Sequence, residues 1–210
     1  MRSRKRPLPG DLGLSAEEGR TLAALRTPQR VQEFVAGLRA NFEQDGDTLR
    51  SVRGVLRHRK AHCIEAAFVA ACALWLHGEP PLLMDLTAAK GDSDHVVALF
   101  RRNGCWGAIS KSNHAWLRWR DPVYRSLREL AMSYFHEYFL NDGTKTMRKF
   151  SKPFDLSKVK VDWRRSKEDL PDLVDTLDSS PHENVLPKGH RLRKAEKIET
   201  RAGLLVEWEK

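Results

Sequence analysis

The chain has 210 residues, with 37 Lys and Arg against 28 Asp and Glu, for a net charge of +9. That length suits one sizeable domain, or one domain with a small appendage. The longest apolar run, Ala66 to Leu76, is too short to cross a bilayer, so no membrane partner is expected.

The basic stretch Met1-Arg2-Ser3-Arg4-Lys5-Arg6-Pro7 has no apolar segment behind it and does not read as a secretory signal. Cys63, Cys72 and Cys105 are odd in number and far apart, so no disulfide framework is expected. A cytoplasmic, reducing setting follows, in which a free thiol survives. The basic residues are dispersed and carry no aromatic-interleaved motif. Their charge reads as solvated surface with weak attraction for anionic partners, and nucleic acid is not an expected partner.

Residues 1–20 are rich in charge with little periodicity and read as a mobile lead-in. Thr27-Pro28 opens a helix, since Thr caps orphan amides and Pro suits the first helical position. Val31, Phe34, Val35 and Leu38 form its apolar stripe, which Phe42 extends by one turn. A loop around Asp45-Gly46 follows. Leu49, Val52 and Leu56 then give a short helix starting near Thr48, with Gly54 inside it.

Residues 63–77 are apolar on all sides, as in a helix buried within a domain. Gly78, Pro80 and Pro81 stop it. Leu82 to Leu86 reads as a strand, Lys90 to Asp94 as a polar loop, and Val96 to Phe100 as a second strand. Asn103-Gly104 is a hairpin signal, with Trp106 to Ser110 as the returning strand.

Asp121-Pro122 reads as a turn. Ser126 and Glu129 have capping-box spacing, and Leu127, Leu130, Ala131, Tyr134 and Tyr138 line one helical face. Beyond residue 150 the chain is polar and punctuated by Pro153, Pro171, Pro181 and Pro187. Leu192 to Trp208 gives a terminal helix with Ala195, Ile198, Ala202 and Leu205 as its stripe. The expected division is a lead-in at 1–20, a domain at 21–150, and a polar extension at 151–210.

Cys63 opens the buried helix, where the helix dipole favours thiolate. His95 opens a strand and can act as its base. His62 would point elsewhere on the helix, and Glu65 suits the helix N-terminus without sharing the face of Cys63.

The hairpin indicates the third residue. A two-residue loop pairs Arg102 with Cys105, sets His95 against Ser112, and puts Ser110 on the diagonal. A four-residue loop from Arg101 to Gly104 sets Ser110 directly opposite. Both keep Ser110 on the face of His95, whereas an odd loop or a bulge would turn Lys111 or Asn113 there instead. Ser110 is the first choice and Asn113 the reserve. His62, Cys63, His95 and His114 match no standard zinc spacing, so neither a metal nor a cofactor is expected.

The order of Cys on a buried helix, His on a strand and a polar residue on the next strand resembles the transglutaminase-like superfamily, as a divergent, bacterial-type member. The resemblance rests on Cys63-Ile64-Glu65-Ala66-Ala67, on Asp94-His95-Val96-Val97-Ala98-Leu99-Phe100, and on Gly104-Cys105-Trp106-Gly107-Ala108-Ile109-Ser110. It implies an α+β fold with a papain-like core, in which the Cys-bearing helix packs on a small antiparallel sheet with flanking helices.

It also implies cysteine-dependent acyl transfer or amide hydrolysis, with Cys63 as nucleophile, His95 as base and then acid, and Ser110 orienting His95. The substrate would be a protein or a small amide. The family usually has Gly where this chain has Ala61, an aromatic residue where it has Val97, and Asp where it has Ser110. The last difference favours the competing expectation, a catalytically inactive interaction module with a basic surface.

Overall fold

Local signals set most helix starts. The computed structural model describes residues 6–43, 46 and 48–203. In chain order the elements are α1 (Ala16–Ala23), α2 (Pro28–Ala36), β1 (Arg39–Ala40), α3 (Val52–His58), β2 (Lys60–Ala61), α4 (Cys63–Leu76), β3 (Leu82–Ala88), β4 (His95–Arg102), β5 (Cys105–Ile109), β6 (Arg120–Tyr124), α5 (Leu127–Phe135), β7 (Met147–Ser151), β8 (Phe154–Asp155), α6 (Pro171–Asp178), β9 (His182–Asn184) and α7 (Lys197–Gly203).

At α2, Thr27 Oγ1 accepts from Arg30 N at 3.2 Å, and Pro28 takes the first position. Gly37 ends the helix and the chain turns into β1, so Phe42 does not extend the stripe and is exposed instead. Ser51 caps α3, which starts at Val52 rather than near Thr48, while Thr48, Leu49 and Arg50 are bonded to Glu65 and Asp169 outside the helix.

The fold is mixed α and β, with an antiparallel sheet in the order β6-β5-β4-β3-β7-β9 and β8 paired to β3. β1 and β2 form a separate parallel pair. β4 is buried on both faces and its residues alternate. Val96, Ala98 and Phe100 join the core under α1 to α4, while Val97 and Leu99 join the core under α5. α4 lies on β4 with nearly every side chain buried.

Asn103 (φ 51°) and Gly104 (φ 82°) both adopt left-handed conformations, as a two-residue hairpin of the type I′ kind requires. Arg102 therefore faces Cys105, and the ladder ends at Ala98 opposite Ile109.

The N-terminal segment is not a mobile lead-in from residue 8 onward. Ser15 and Glu18 form a capping box at 3.2 and 2.7 Å, and Leu12 and Leu22 are buried. Glu18 grips Arg53 with both carboxylate oxygens at 2.7 and 2.9 Å, tying α1 to α3.

Asp121-Pro122 is not a turn but part of β6. That strand ends the sheet order, where a residue without an N–H is tolerated. Tyr138 lies past the end of α5 yet remains in its core.

Residues 151–203 are not a separate polar extension. Trp163 is fully buried against Phe68 and Trp75 of α4, with ring centroids 6.3 and 6.1 Å apart, and its indole N–H bonds the Leu156 carbonyl at 3.0 Å. Leu170, Leu173 and Leu177 join the same core. Among the described residues the terminal helix is α7, starting five residues later than expected, with Ile198 exposed and Ala195 buried ahead of it. Leu205 and Trp208 lie outside the described residues, as do Asp45 of the expected loop and Met1 to Lys5. No helix among the described residues is long and apolar enough to cross a membrane.

Candidate active site

A cleft of about 620 Å³ opens where the head of α4 meets the start of β4, and Cys63, His62, His95, Lys111 and Asn113 all line it. Cys63 is the first residue of α4, partly exposed, with Sγ 4.0 Å from the Asp94 carbonyl. The amides at a helix head lack intrahelical acceptors, so this end of α4 favours negative charge.

His95 is buried, and its Nε2 lies 2.7 Å from Ser110 Oγ. The Ser110 hydroxyl donates its single proton to the Leu117 carbonyl at 2.8 Å. Its oxygen must therefore accept from His95 Nε2–H. That bond fixes the tautomer and leaves Nδ1 as the ring nitrogen not engaged by Ser110, in the cleft that His95 shares with Cys63.

The structure thus brings together the three expected residues Cys63, His95 and Ser110. Asn113 is exposed on the cleft rim and does not take this place. Lys111 turns away, with Nζ 2.6 Å from the Leu38 carbonyl. Burial, helped by the charge of Arg118, brings its ammonium down to about 8.

Ser110 is itself held by a residue the sequence does not single out. Gln32 of α2 donates from Nε2 to the Ser110 carbonyl and accepts from the Ser110 N–H through Oε1, both at 2.9 Å. Its carboxamide completes both backbone groups just where the ladder to β4 has ended.

His62 does not point away from the thiol. Its backbone sits at the N-cap of α4, and its ring Nδ1 lies 4.0 Å from Cys63 Sγ. Its Nε2 donates to the Thr48 carbonyl at 2.7 Å, with Glu43 and Glu65 carboxylate oxygens at 3.5 and 3.8 Å. Helical periodicity cannot place this ring, because an N-cap residue has non-helical backbone angles.

Glu65 has the expected place at the helix head and does more there. Fully buried, it accepts from the N–H groups of His62 and Arg50, from Thr48 Oγ1 and from Asn41 Nδ2 at 3.0–3.2 Å.

Burial pushes the Cys63 thiol up, but the hydrogen bonds and charges of His62 and His95 outweigh it and bring it down to about 5. Burial likewise lowers His62, yet Cys63, Glu65 and the Thr48 carbonyl together raise it to about 9. Cys72 differs, since burial in α4 pushes its thiol up to about 12.

Among the described residues, the group of carboxylates and rings close enough to share a metal does not include His62, Cys63, His95 or His114, and His114 packs edge-on against Phe139 at 5.2 Å. Asp85, Asp94 and Asp178 do bring carboxylate oxygens within 4.8 Å of one another, donors of the type a hard cation takes. His182 Nε2 lies 3.1 Å from Asp85 in that group, and burial with the charge of Asp94 raises Asp85 to about 6. No family model matches this chain, and no curated protein matches it.

Proposed function

We propose that this protein is a cysteine-dependent acyl transferase or amide hydrolase built on a transglutaminase-like, papain-type core. One observation carries the proposal: a thiol at the head of a buried helix sits beside an imidazole whose tautomer Ser110 fixes.

The Cys63 thiolate attacks the carbonyl carbon and forms the S–C bond, while the carbonyl electron pair moves onto oxygen. Amides at the head of α4 supply donors for that oxyanion. As the C–N bond breaks, protonated His95 gives the leaving amine its proton. His95, now neutral, takes a proton from water or an acceptor amine, which attacks the thioester and releases the thiolate. Proton and electron count close without a metal or organic cofactor.

The test is intact-mass spectrometry after mixing with activated acyl esters. An acyl adduct on Cys63, removed by hydroxylamine and missing in Cys63→Ala, supports the proposal. Partition of that adduct between water and added amines separates hydrolase from transferase. If no donor acylates Cys63, the activity is refuted and the same fold serves as a binding module.

A further inference from the structure

We propose that His62 is a second catalytic imidazole, a standing cation that holds Cys63 as thiolate while His95 alone moves protons. The inference rests on the acyl-transfer reading of this site and assigns the support of the thiolate to a residue next to it in sequence.

Two imidazoles share the cleft with one sulfur, His62 with Nδ1 4.0 Å from it, and the neighbours of each differ in charge. His95 leans on a neutral hydroxyl, Ser110. His62 leans on the Thr48 carbonyl at 2.7 Å, with carboxylate oxygens of Glu43 and Glu65 at 3.5 and 3.8 Å. A carboxylate behind an imidazole stabilises the imidazolium. This chain has no carboxylate at position 110, but it places two behind His62.

Both Glu residues are fixed. Glu43 accepts from the Thr48 N–H at 2.8 Å, and Glu65 is locked by the donors at the helix head, with Arg50 Nη1 at 3.5 Å. Ser, Thr, Asp and Asn are the usual N-cap residues. His62 fills this place instead, and its ring has a nitrogen 4.0 Å from the sulfur.

The rest of the cleft is rich in carboxylates. Asp85, Asp92, Asp94 and Asp178 line it, as do Lys111 and His114. The Tyr138 hydroxyl also reaches the cleft, where it donates to the Ser93 carbonyl at 2.6 Å. Lys111 is spent on the Leu38 carbonyl. Four carboxylates oppose a thiolate, and His62 supplies a fixed positive charge at the sulfur itself.

Through the cycle the thiol proton passes to His95, then to the leaving amine, and returns from water or the acceptor to His95. His62 keeps both ring protons throughout, so no atom or charge is unaccounted for.

The experiment is the pH dependence of Cys63 alkylation by iodoacetamide in the parent, His62→Asn, Glu43→Gln and His95→Ala. Asn is a good N-cap, so His62→Asn keeps the helix start. Glu43→Gln leaves the cap intact and covers the case in which the first variant does not fold. The expected result is a parent inflection well below the free-thiol value, moved upward in His62→Asn so that labelling at about pH 6 slows by about tenfold. A smaller upward shift is expected in Glu43→Gln. An unmoved inflection in a folded His62→Asn overturns the inference, as does an unmoved Glu43→Gln if only that variant folds. If the low inflection survives in His62→Asn yet is lost in His95→Ala, only this inference fails. An ordinary thiol inflection in the parent removes the acyl-transfer reading as well.

Discussion

His95 and Ser110 are joined by a bond of known direction. The Ser110 proton is committed to the Leu117 carbonyl, so His95 must donate from Nε2 across 2.7 Å. A hydroxyl thereby selects the tautomer that a carboxylate would otherwise select, though it adds no negative charge to steady the imidazolium.

Removing that bond gives the first prediction. Ser110→Ala leaves Cys63 and His62 in place but frees the His95 ring to change tautomer. Loss of one hydrogen bond of about 1–2 kcal/mol is expected to lower kcat about 5- to 30-fold, with little change in KM. Steady-state kinetics on an activated acyl donor measure this. An unchanged kcat would mean that Ser110 does not orient the base.

Turnover is expected to show an acidic limb well below the ordinary thiol range. The Cys63 thiol is lowered to about 5, so the reactive thiolate accumulates as pH rises through that value. The acidic limb therefore belongs to the thiol, and below it the protonated thiol does not attack. A profile of kcat/KM against pH checks it, and an acidic limb near the ordinary thiol range would contradict it.

The hairpin made part of this site legible. Asn103-Gly104 permits a two-residue loop, the loop sets Arg102 opposite Cys105, and the parity that follows brings Ser110 to the face of His95. The buried helix was legible from its unbroken apolar run and its Gly-Pro-Pro stop. His62 was not, because its ring direction depends on N-cap angles rather than helical spacing. Gln32 lies among the polar positions of α2, and nothing local marks the one that meets Ser110 78 residues away. Trp163 and α6 were hidden because isolated apolar residues in a polar stretch show no periodicity, although each finds its place in the core.

Gln32 gives the next prediction. Gln32→Ala strips partners from both backbone groups of Ser110 and is expected to destabilise the fold by about 1–3 kcal/mol. It should also slow turnover, because Ser110 loses its anchor. Denaturant unfolding and kcat are the two readouts. A loss of stability with kcat unchanged would show that the anchor does not serve His95.

The C-terminal segment is expected to be indispensable to folding. Trp163→Ala empties a site against Phe68 and Trp75 directly behind the Cys-bearing helix. A cost of about 3–5 kcal/mol is expected, as for other buried aromatics cut to Ala. Chemical denaturation measures this, and a cost under about 1 kcal/mol would place Trp163 outside the cooperative core.

The most direct test of the central claim is the pH dependence of Cys63 alkylation in the parent and in His95→Ala. The account predicts fast labelling well below the free-thiol value of about 8.5 in the parent, with the inflection displaced upward in His95→Ala. An ordinary thiol profile in both proteins would contradict the activated Cys63–His95 pair.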